Sequence, residues 1–136
     1  MATRSTVRAL QAFYSPPSAA CQSPWGEYLT LVSVGSGLNG HPDTLHGGII
    51  SLLLDETLST PADFHRTPSN TIFTATMTVD YKKPVPTPGF VLCRTWADPS
   101  SEGRKIRVAG SVEDGEGGIY AVGRALFVEV PMDAKL

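Results

Sequence analysis

One segment, residues 45–59, restricts the fold more than any other part of the chain. It is rich in leucine, contains no proline and lacks the alternation of a half-buried strand. It is therefore predicted to form one buried helix that ends before Pro61. After this helix the hydrophobic pattern repeats every two residues. In residues 71–81, polar residues such as Thr74 alternate with Met77, Val79 and Tyr81. This alternation predicts a long strand with one buried face and with Thr74 on the opposite face.

The remaining pattern predicts an antiparallel sheet around this helix. Strands are expected at residues 28–34, 90–97, 105–113 and 119–130, and a glycine-rich hairpin signal joins the last two. Consecutive strands with short links favour an α+β fold. A short helix at residues 5–14 is expected to end before Pro16. The predicted division is an N-terminal helix and loop (1–27), one domain (28–131) and a tail (132–136).

Composition excludes several classes of protein. The chain has 136 residues, enough for one domain, and a net charge of −2 gives no general attraction to nucleic acid. No apolar run approaches the ~20 residues of a transmembrane helix. Cys21 and Cys93 are far apart and predict two reduced thiols, so a cytoplasmic location is expected. The first 26 residues carry Arg4 and Arg8 and no acid, which leaves a mitochondrial location as the alternative.

Two motifs are weighed and set aside. The glycines of GSGLNG, residues 35–40, have the spacing of a dinucleotide-binding loop, but no further βαβ unit follows. His41, Asp43 and His46 lie close in sequence, but no fourth ligand accompanies them. Neither a metal nor a separate cofactor is predicted.

His46, Gly47 and Gly48 begin the predicted helix. The first amides of a helix have no intrahelical acceptor, and the helix dipole adds positive charge there. Glycine allows a ligand to approach the backbone. The segment is therefore either an oxyanion hole or simply a tight turn into a helix.

Asp55 is the second candidate, because an ionised carboxylate inside an apolar helix is costly unless it is bonded or used. Asp55 and Glu56 are 100° apart around the helix, and a solvent-facing pair is the alternative interpretation. Eight residues separate Gly47 from Asp55, which is ~12 Å along a helix. The two cannot serve one carbonyl within one chain. Two antiparallel copies of the helix across a two-fold axis would bring them together, so a joint role requires a dimer.

Three motifs, in this order, resemble the hotdog-fold acyl-CoA thioesterases of the phenylacetyl-CoA thioesterase-like branch. They are HGGIISLLLDE, TATMTVDYKKPVP and EGRKIRVAGSV, and the resemblance covers residues 29–130. It implies a hotdog fold, in which an antiparallel sheet of about five or six strands wraps around one long central helix. It also implies homodimers and, often, homotetramers.

The resemblance further implies residue roles. The Gly47 N–H would polarise the thioester carbonyl, with His46 and Gly48 shaping the pocket. Asp55 of the other subunit would act as nucleophile or general base, assisted by Thr74. The other substrate-binding positions implied are Ser59 as a substitute for Thr74, Asn39 or His41 in place of a family Asn at the position of Gly40, and four cations for the phosphates of coenzyme A, Lys82, Lys83, Arg104 and Lys105.

The predicted function is hydrolysis of an acyl-CoA or an acyl-carrier-protein thioester to acid and thiol, with coenzyme A as part of the substrate. The alternatives are a hotdog-fold hydroxyacyl-thioester dehydratase or hydratase, and a non-catalytic module that binds acyl-CoA. Neither the acyl group nor the choice between dimer and tetramer follows from these residues.

Overall fold

One long helix packs against one face of a six-stranded antiparallel sheet. The computed structural model describes residues 7–132. The elements, in chain order, are β1 (Val7–Ser15), β2 (Glu27–Val34), β3 (Asn39–His41), β4 (Thr44–Leu45), α1 (Gly47–His65), β5 (Asn70–Tyr81), β6 (Gly89–Ala97), β7 (Lys105–Glu113) and β8 (Ile119–Pro131). The large sheet has the order β1-β2-β6-β7-β8-β5, and β3 and β4 form a separate hairpin. The predicted α+β architecture is confirmed.

The core lies between α1 and the sheet. Leu54 and Leu58 of the helix are fully buried. Alternate residues of the strands meet them, as the period of two requires. Those strand residues are Val32, Val34, Val91, Cys93, Ile106, Val108, Val112, Ala121, Ala125 and Phe127. Gly123 lets the helix approach, because a Cβ atom there would lie 3.1 Å from Leu54 Cδ1.

The N-terminal helix expected at residues 5–14 is wrong, because Val7–Ser15 forms strand β1. This strand pairs along β2, with Leu10 opposite Val32 and Tyr14 opposite Tyr28. A single helix of about ten residues is marginally stable in water, whereas β2 offers β1 a ladder of backbone partners. Within the predicted tail, only Met132 belongs to the described residues.

Pro61 does not end the helix, contrary to the sequence prediction. Helix α1 continues to His65, and Pro61 is buried within it. A proline removes the N–H that would bond to the carbonyl four residues earlier, here that of Thr57. The hydroxyl of Thr95 in β6 donates to this carbonyl instead, at 3.1 Å. The sheet thereby supplies the hydrogen bond that the proline removes.

A bulge at Ala75 changes which residues of β5 face the helix. Thr74 pairs with Phe127 and Thr76 with Leu126, so β5 advances two residues while β8 advances one. A bulge of this kind reverses the alternation beyond it. Thr74 therefore shares the helix-facing side with Met77, Val79 and Tyr81, and the prediction that it faces the other way is wrong.

The loop GSGLNG forms a single 3-10 turn, Ser36–Leu38, and the start of β3. It does not lead into a helix, which a dinucleotide-binding loop requires. Across residues 7–132, α1 is the longest helix, and no helix is both long and apolar enough to span a bilayer.

Candidate active site

The first turn of α1 carries the predicted oxyanion-binding position. His46 is the residue before the helix, and its Nδ1 accepts the Gly48 N–H at 2.8 Å. The backbone carbonyl of His46 accepts the N–H groups of Ile49 and Ile50. Within residues 7–132 the Gly47 N–H donates to no acceptor. The helix thus begins with one free amide donor at its positive end.

Gly47 is not required by crowding within the chain. A Cβ atom added there would lie 3.6 Å from the Tyr81 ring, an ordinary van der Waals contact. Glycine nevertheless weakens a helix by roughly 1 kcal/mol relative to alanine. At Gly48, in contrast, a Cβ atom would lie 3.0 Å from the Nδ1 atom of His46. Packing within the described chain therefore does not explain the glycine at position 47.

Asp55 lies two turns further along α1 and meets strand β5. The Thr74 hydroxyl donates to Asp55 Oδ1 at 2.9 Å. Asp55 is half-buried and Glu56 is exposed, so the helix is not buried on every side as the sequence suggested. In the described part of the chain no cation forms an ion pair with Asp55. One side of α1 is open, and it carries Gly48, Leu52, Glu56 and Asp63.

Tyr81 contacts the first turn and was not among the predicted site residues. Its hydroxyl donates to the Gly47 carbonyl at 3.2 Å and also bonds to the Ser51 hydroxyl. The sequence does contain a signal, because Tyr81 closes the strand motif TATMTVDYKKPVP. The sequence alone does not show that Tyr81 and Thr74 both face the helix, because seven residues separate them and a regular strand would put them on opposite faces.

Two curated thioesterases and several solved structures are similar to this chain. No family model matches the chain. The rat acyl-coenzyme A thioesterase THEM4 is 30% identical over 107 residues, which cover 78% of this chain and 44% of the relative. The mouse protein of the same name is 29% identical over 109 residues, 79% of this chain and 45% of the relative. A solved thioesterase superfamily protein superposes with a TM-score of 0.67 at 26% identity, over 75% of this chain and 48% of that one.

In sequence and in fold, this chain resembles the hotdog-fold thioesterases. It spans less than half the length of the curated relatives it matches. A Bacillus halodurans protein solved with CoA has the same fold, with a TM-score of 0.65 at 24% identity over 77% of this chain and 68% of that one.

Three further predicted positions, Asn39, His41 and Ser59, are not in hydrogen-bond contact with Asp55. The Asn39 side chain accepts a hydrogen bond from the Thr87 hydroxyl, and His41 is exposed in β3. A Cβ atom on Gly40 would lie 3.1 Å from the His46 ring, so this glycine packs against the residue that precedes α1. The Ser59 hydroxyl donates to the Glu56 carbonyl at 2.6 Å and does not reach Asp55.

The four predicted cations are split between the two ends of the hotdog sheet. The backbone N–H groups of Lys82 and Lys83 bond to Tyr120, and the Lys83 ammonium lies 3.3 Å from Asp114. Arg104 Nε donates to the Glu129 carbonyl at 3.0 Å, and Lys105 is exposed beside it. Tyr120 and Glu129, which mark the positions of these two pairs of cations, are nine residues apart in β8, or ~30 Å along a strand. One chain therefore does not bring the four together.

Elsewhere in residues 7–132 there is no cluster of metal ligands, and the buried thiol of Cys93 is not activated. In residues 7–132 no group of three His, Cys, Asp or Glu side chains is arranged to hold a metal. Burial raises the pKa of the Cys93 thiol to about 12. On the outer face of the sheet, Arg94 bonds to Glu113 and Glu27, and these bonds, chiefly that from Glu113, raise the pKa of Arg94. The charged Arg94 guanidinium is thus already paired with two carboxylates of the same chain.

Proposed function

We propose that this protein hydrolyses acyl thioesters of coenzyme A, or of an acyl carrier protein, to a free acid and a thiol. The observation that carries the proposal is the pairing of two groups on one helix. These are Asp55, bonded by Thr74, and the free N–H of Gly47. An acid and an oxyanion donor are the two groups that thioester hydrolysis needs. The names of the THEM4 relatives support the same activity.

The distance between the two groups makes the proposed enzyme a homodimer. Gly47 and Asp55 are ~12 Å apart along the helix, whereas groups that act on one carbonyl lie within roughly 3 Å of it. A two-fold axis near Ser51 would put Asp55 of the partner subunit beside Gly47. Leu52 supports this axis, because it is an apolar residue on the open side of α1 and is 38% exposed. The partner would cover it.

Strand β5 supports the same axis. It is an edge strand of the sheet, so its outer backbone groups are available to a second chain. Tyr81 contacts Gly47 and Thr74 contacts Asp55. The midpoint between these contacts lies near Met77 and Thr78. We therefore propose that two β5 strands pair antiparallel about these residues.

In the proposed reaction the Gly47 N–H donates a hydrogen bond to the thioester oxygen and stabilises the negative charge that develops there. With Asp55 as general base, the carboxylate removes a proton from water and the hydroxide attacks the carbonyl carbon. Collapse of the oxyanion breaks the C–S bond, and the leaving thiolate takes the proton. With Asp55 as nucleophile, a mixed anhydride forms first and water then hydrolyses it. In a single turnover in ¹⁸O-water, label in the Asp55 carboxylate would identify the anhydride route, with water attacking the Asp55 carbonyl, because the general-base route puts the label only in the acid product.

In the proposed dimer, cations that lie far apart within one chain would come close together. Antiparallel pairing brings the end that carries Lys82 and Lys83 near the end of the partner that carries Arg104 and Lys105. Both subunits would then contribute positive charge to one side of each site. Lysine and arginine are suitable partners for the phosphates of coenzyme A. We propose this group as the site for the phosphate-bearing part of the substrate.

The proposal is tested with Asp55→Asn, assayed by thiol release from a panel of short, long and aromatic acyl-CoAs. The amide has the shape of the acid and can still accept the Thr74 hydroxyl, so the fold should persist while turnover falls at least 100-fold. Glu56→Gln is the matched control, since it removes an exposed acid from the next residue. Equal turnover in Asp55→Asn and wild type would remove Asp55 from the mechanism. A 3-hydroxyacyl-CoA is added to the panel, and its conversion to a conjugated enoyl product and water without thiol release would instead indicate a dehydratase.

The oxyanion position has an independent test in Gly47→Pro. Proline is tolerated at the first residue of a helix, and its ring carbon replaces the amide hydrogen that the proposal uses. The extended backbone of His46, with ψ of 135°, suits a residue before proline. Turnover should fall roughly 100-fold more than in Gly47→Ala, which keeps the N–H. Similar turnover in the two variants would contradict the oxyanion role.

A further inference from the structure

The second contact between β5 and α1 lies at Tyr81, and the bulge at Ala75 makes it possible. Seven residues separate Thr74 from Tyr81, an odd number that puts side chains on opposite faces of a regular strand. The extra residue restores both to the helix side. One strand thereby contacts both parts of the proposed site, the acid through Thr74 and the amide through Tyr81.

Tyr81 holds a turn that has few other anchors. Gly47 and Gly48 have no side chains to pack, and glycine loses more backbone freedom than any other residue when a helix forms. His46 anchors Gly48 from one side. Tyr81 anchors Gly47 from the other, because its hydroxyl bonds to both the Gly47 carbonyl and the Ser51 hydroxyl. Gly47 and Ser51, the two residues that this hydroxyl contacts, are one helical turn apart.

The contact leaves the proposed donor free. The hydroxyl of Tyr81 bonds to the Gly47 carbonyl, whereas the Gly47 N–H points to the start of the helix. A Cβ atom added to Gly47 would lie 3.6 Å from the ring, so the ring lies beside this residue without crowding it. An oxyanion donor is effective when its direction is fixed before the charge develops.

We propose that Tyr81 is a positioning residue, which fixes the first turn of α1 and so aims the Gly47 N–H at the thioester oxygen. This inference rests on the proposed hydrolysis. Its hydroxyl does not touch the reacting atoms. Loss of that hydroxyl should weaken stabilisation of the transition state more than binding of the substrate.

The test is Tyr81→Phe, which keeps the ring and removes the hydroxyl. We expect kcat to fall roughly tenfold with KM within about twofold of wild type, because a misaligned donor loses part of its value. Exchange of the backbone amides of residues 48–52 should accelerate several-fold, since the turn opens more often. Ser51→Ala should give a smaller change in the same direction, and adding it to Tyr81→Phe should have little further effect.

Tyr14→Phe is the matched control. It removes a hydroxyl that donates to the Trp25 carbonyl at 3.0 Å, far from α1's first turn, and should change neither kcat nor exchange at residues 48–52. Unchanged kcat or unchanged exchange in Tyr81→Phe would overturn the positioning role. If the wild-type protein hydrolyses no thioester, the proposed function fails separately, and exchange alone decides whether Tyr81 holds the turn.

Discussion

At the scale of single residues, the chemistry of α1 could be predicted better than its surroundings. Gly47 begins the helix as its sequence pattern predicts, and Asp55 lies on the same helix. Their separation follows from helix geometry alone. Tyr81 could not be predicted in the same way. Its contact with Gly47 depends on a bulge in β5, and an alternating sequence does not show where a strand contains one extra residue.

Thr74 gives a residue-scale prediction. Its hydroxyl is the only side-chain donor to Asp55 among the described residues. Thr74→Ala should lower kcat roughly tenfold, because the carboxylate loses the bond that orients it. Thr74→Ser retains the hydroxyl and should keep most of the wild-type rate. The rates are compared by thiol release under saturating acyl-CoA, and equal rates for the two variants would contradict this role.

Cys93 gives a prediction about stability and pH. Burial, the largest cause, raises the pKa of its thiol from 9.0 to about 12. Between these values the unfolded chain has lost a proton that the folded chain keeps, so stability falls as pH rises. The contribution is about 1.4 kcal/mol per pH unit in this range.

Denaturant unfolding of wild type and Cys93→Ala at pH 8 and pH 11 measures this contribution. The variant should lose less stability than wild type over that interval. An equal loss in both proteins would show that the thiol titrates alike in the folded and unfolded states.

At the scale of elements, strands were easier to predict than the ends of the helix. Every strand after α1 was expected within two residues of its observed bounds, because alternation persists along each of them. The continuation of α1 through Pro61 depends on Thr95, which is distant in sequence. The replacement of an expected helix by β1 likewise depends on β2. Local pattern carries no information about such distant partners.

Thr95→Val tests how the helix tolerates its proline. Valine has nearly the same shape and no hydroxyl, so the Thr57 carbonyl would lose its donor in a buried site. The free energy of unfolding should fall by about 1–3 kcal/mol. Thr67→Val changes an exposed threonine in the loop between α1 and β5 and is the control. A loss of stability no larger than that of the control would mean that the hydroxyl of Thr95 does not compensate for Pro61.

At the scale of the whole molecule, one protomer contains both halves of the proposed site but cannot combine them. The open side of α1 and the edge of β5 carry apolar side chains, among them Leu52, Phe73 and Tyr81. Surfaces of this kind are typical of contacts between subunits. A sequence can predict that a second chain is needed, because helix length fixes the separation of Gly47 from Asp55. The sequence pattern does not predict which residues the second chain contacts.

Leu52→Glu tests the proposed subunit contact. A charge on the open side of α1 should favour the monomer, because it would be desolvated in the dimer. Leu31→Glu is a close control, since both leucines are 38% exposed and Leu31 lies on the outer face of the sheet. Light scattering should give the monomer mass for Leu52→Glu, with loss of hydrolysis. A fully active Leu52→Glu dimer would contradict the placement of the axis.

The most direct test mixes two inactive proteins. Asp55→Asn retains the Gly47 N–H, and Gly47→Pro retains the acid. If each site combines Gly47 of one subunit with Asp55 of the other, unfolding and refolding an equimolar mixture should restore about one quarter of wild-type turnover. Half of the dimers are then mixed, and each contains one complete site. A mixture no more active than its two components would contradict a site shared between subunits.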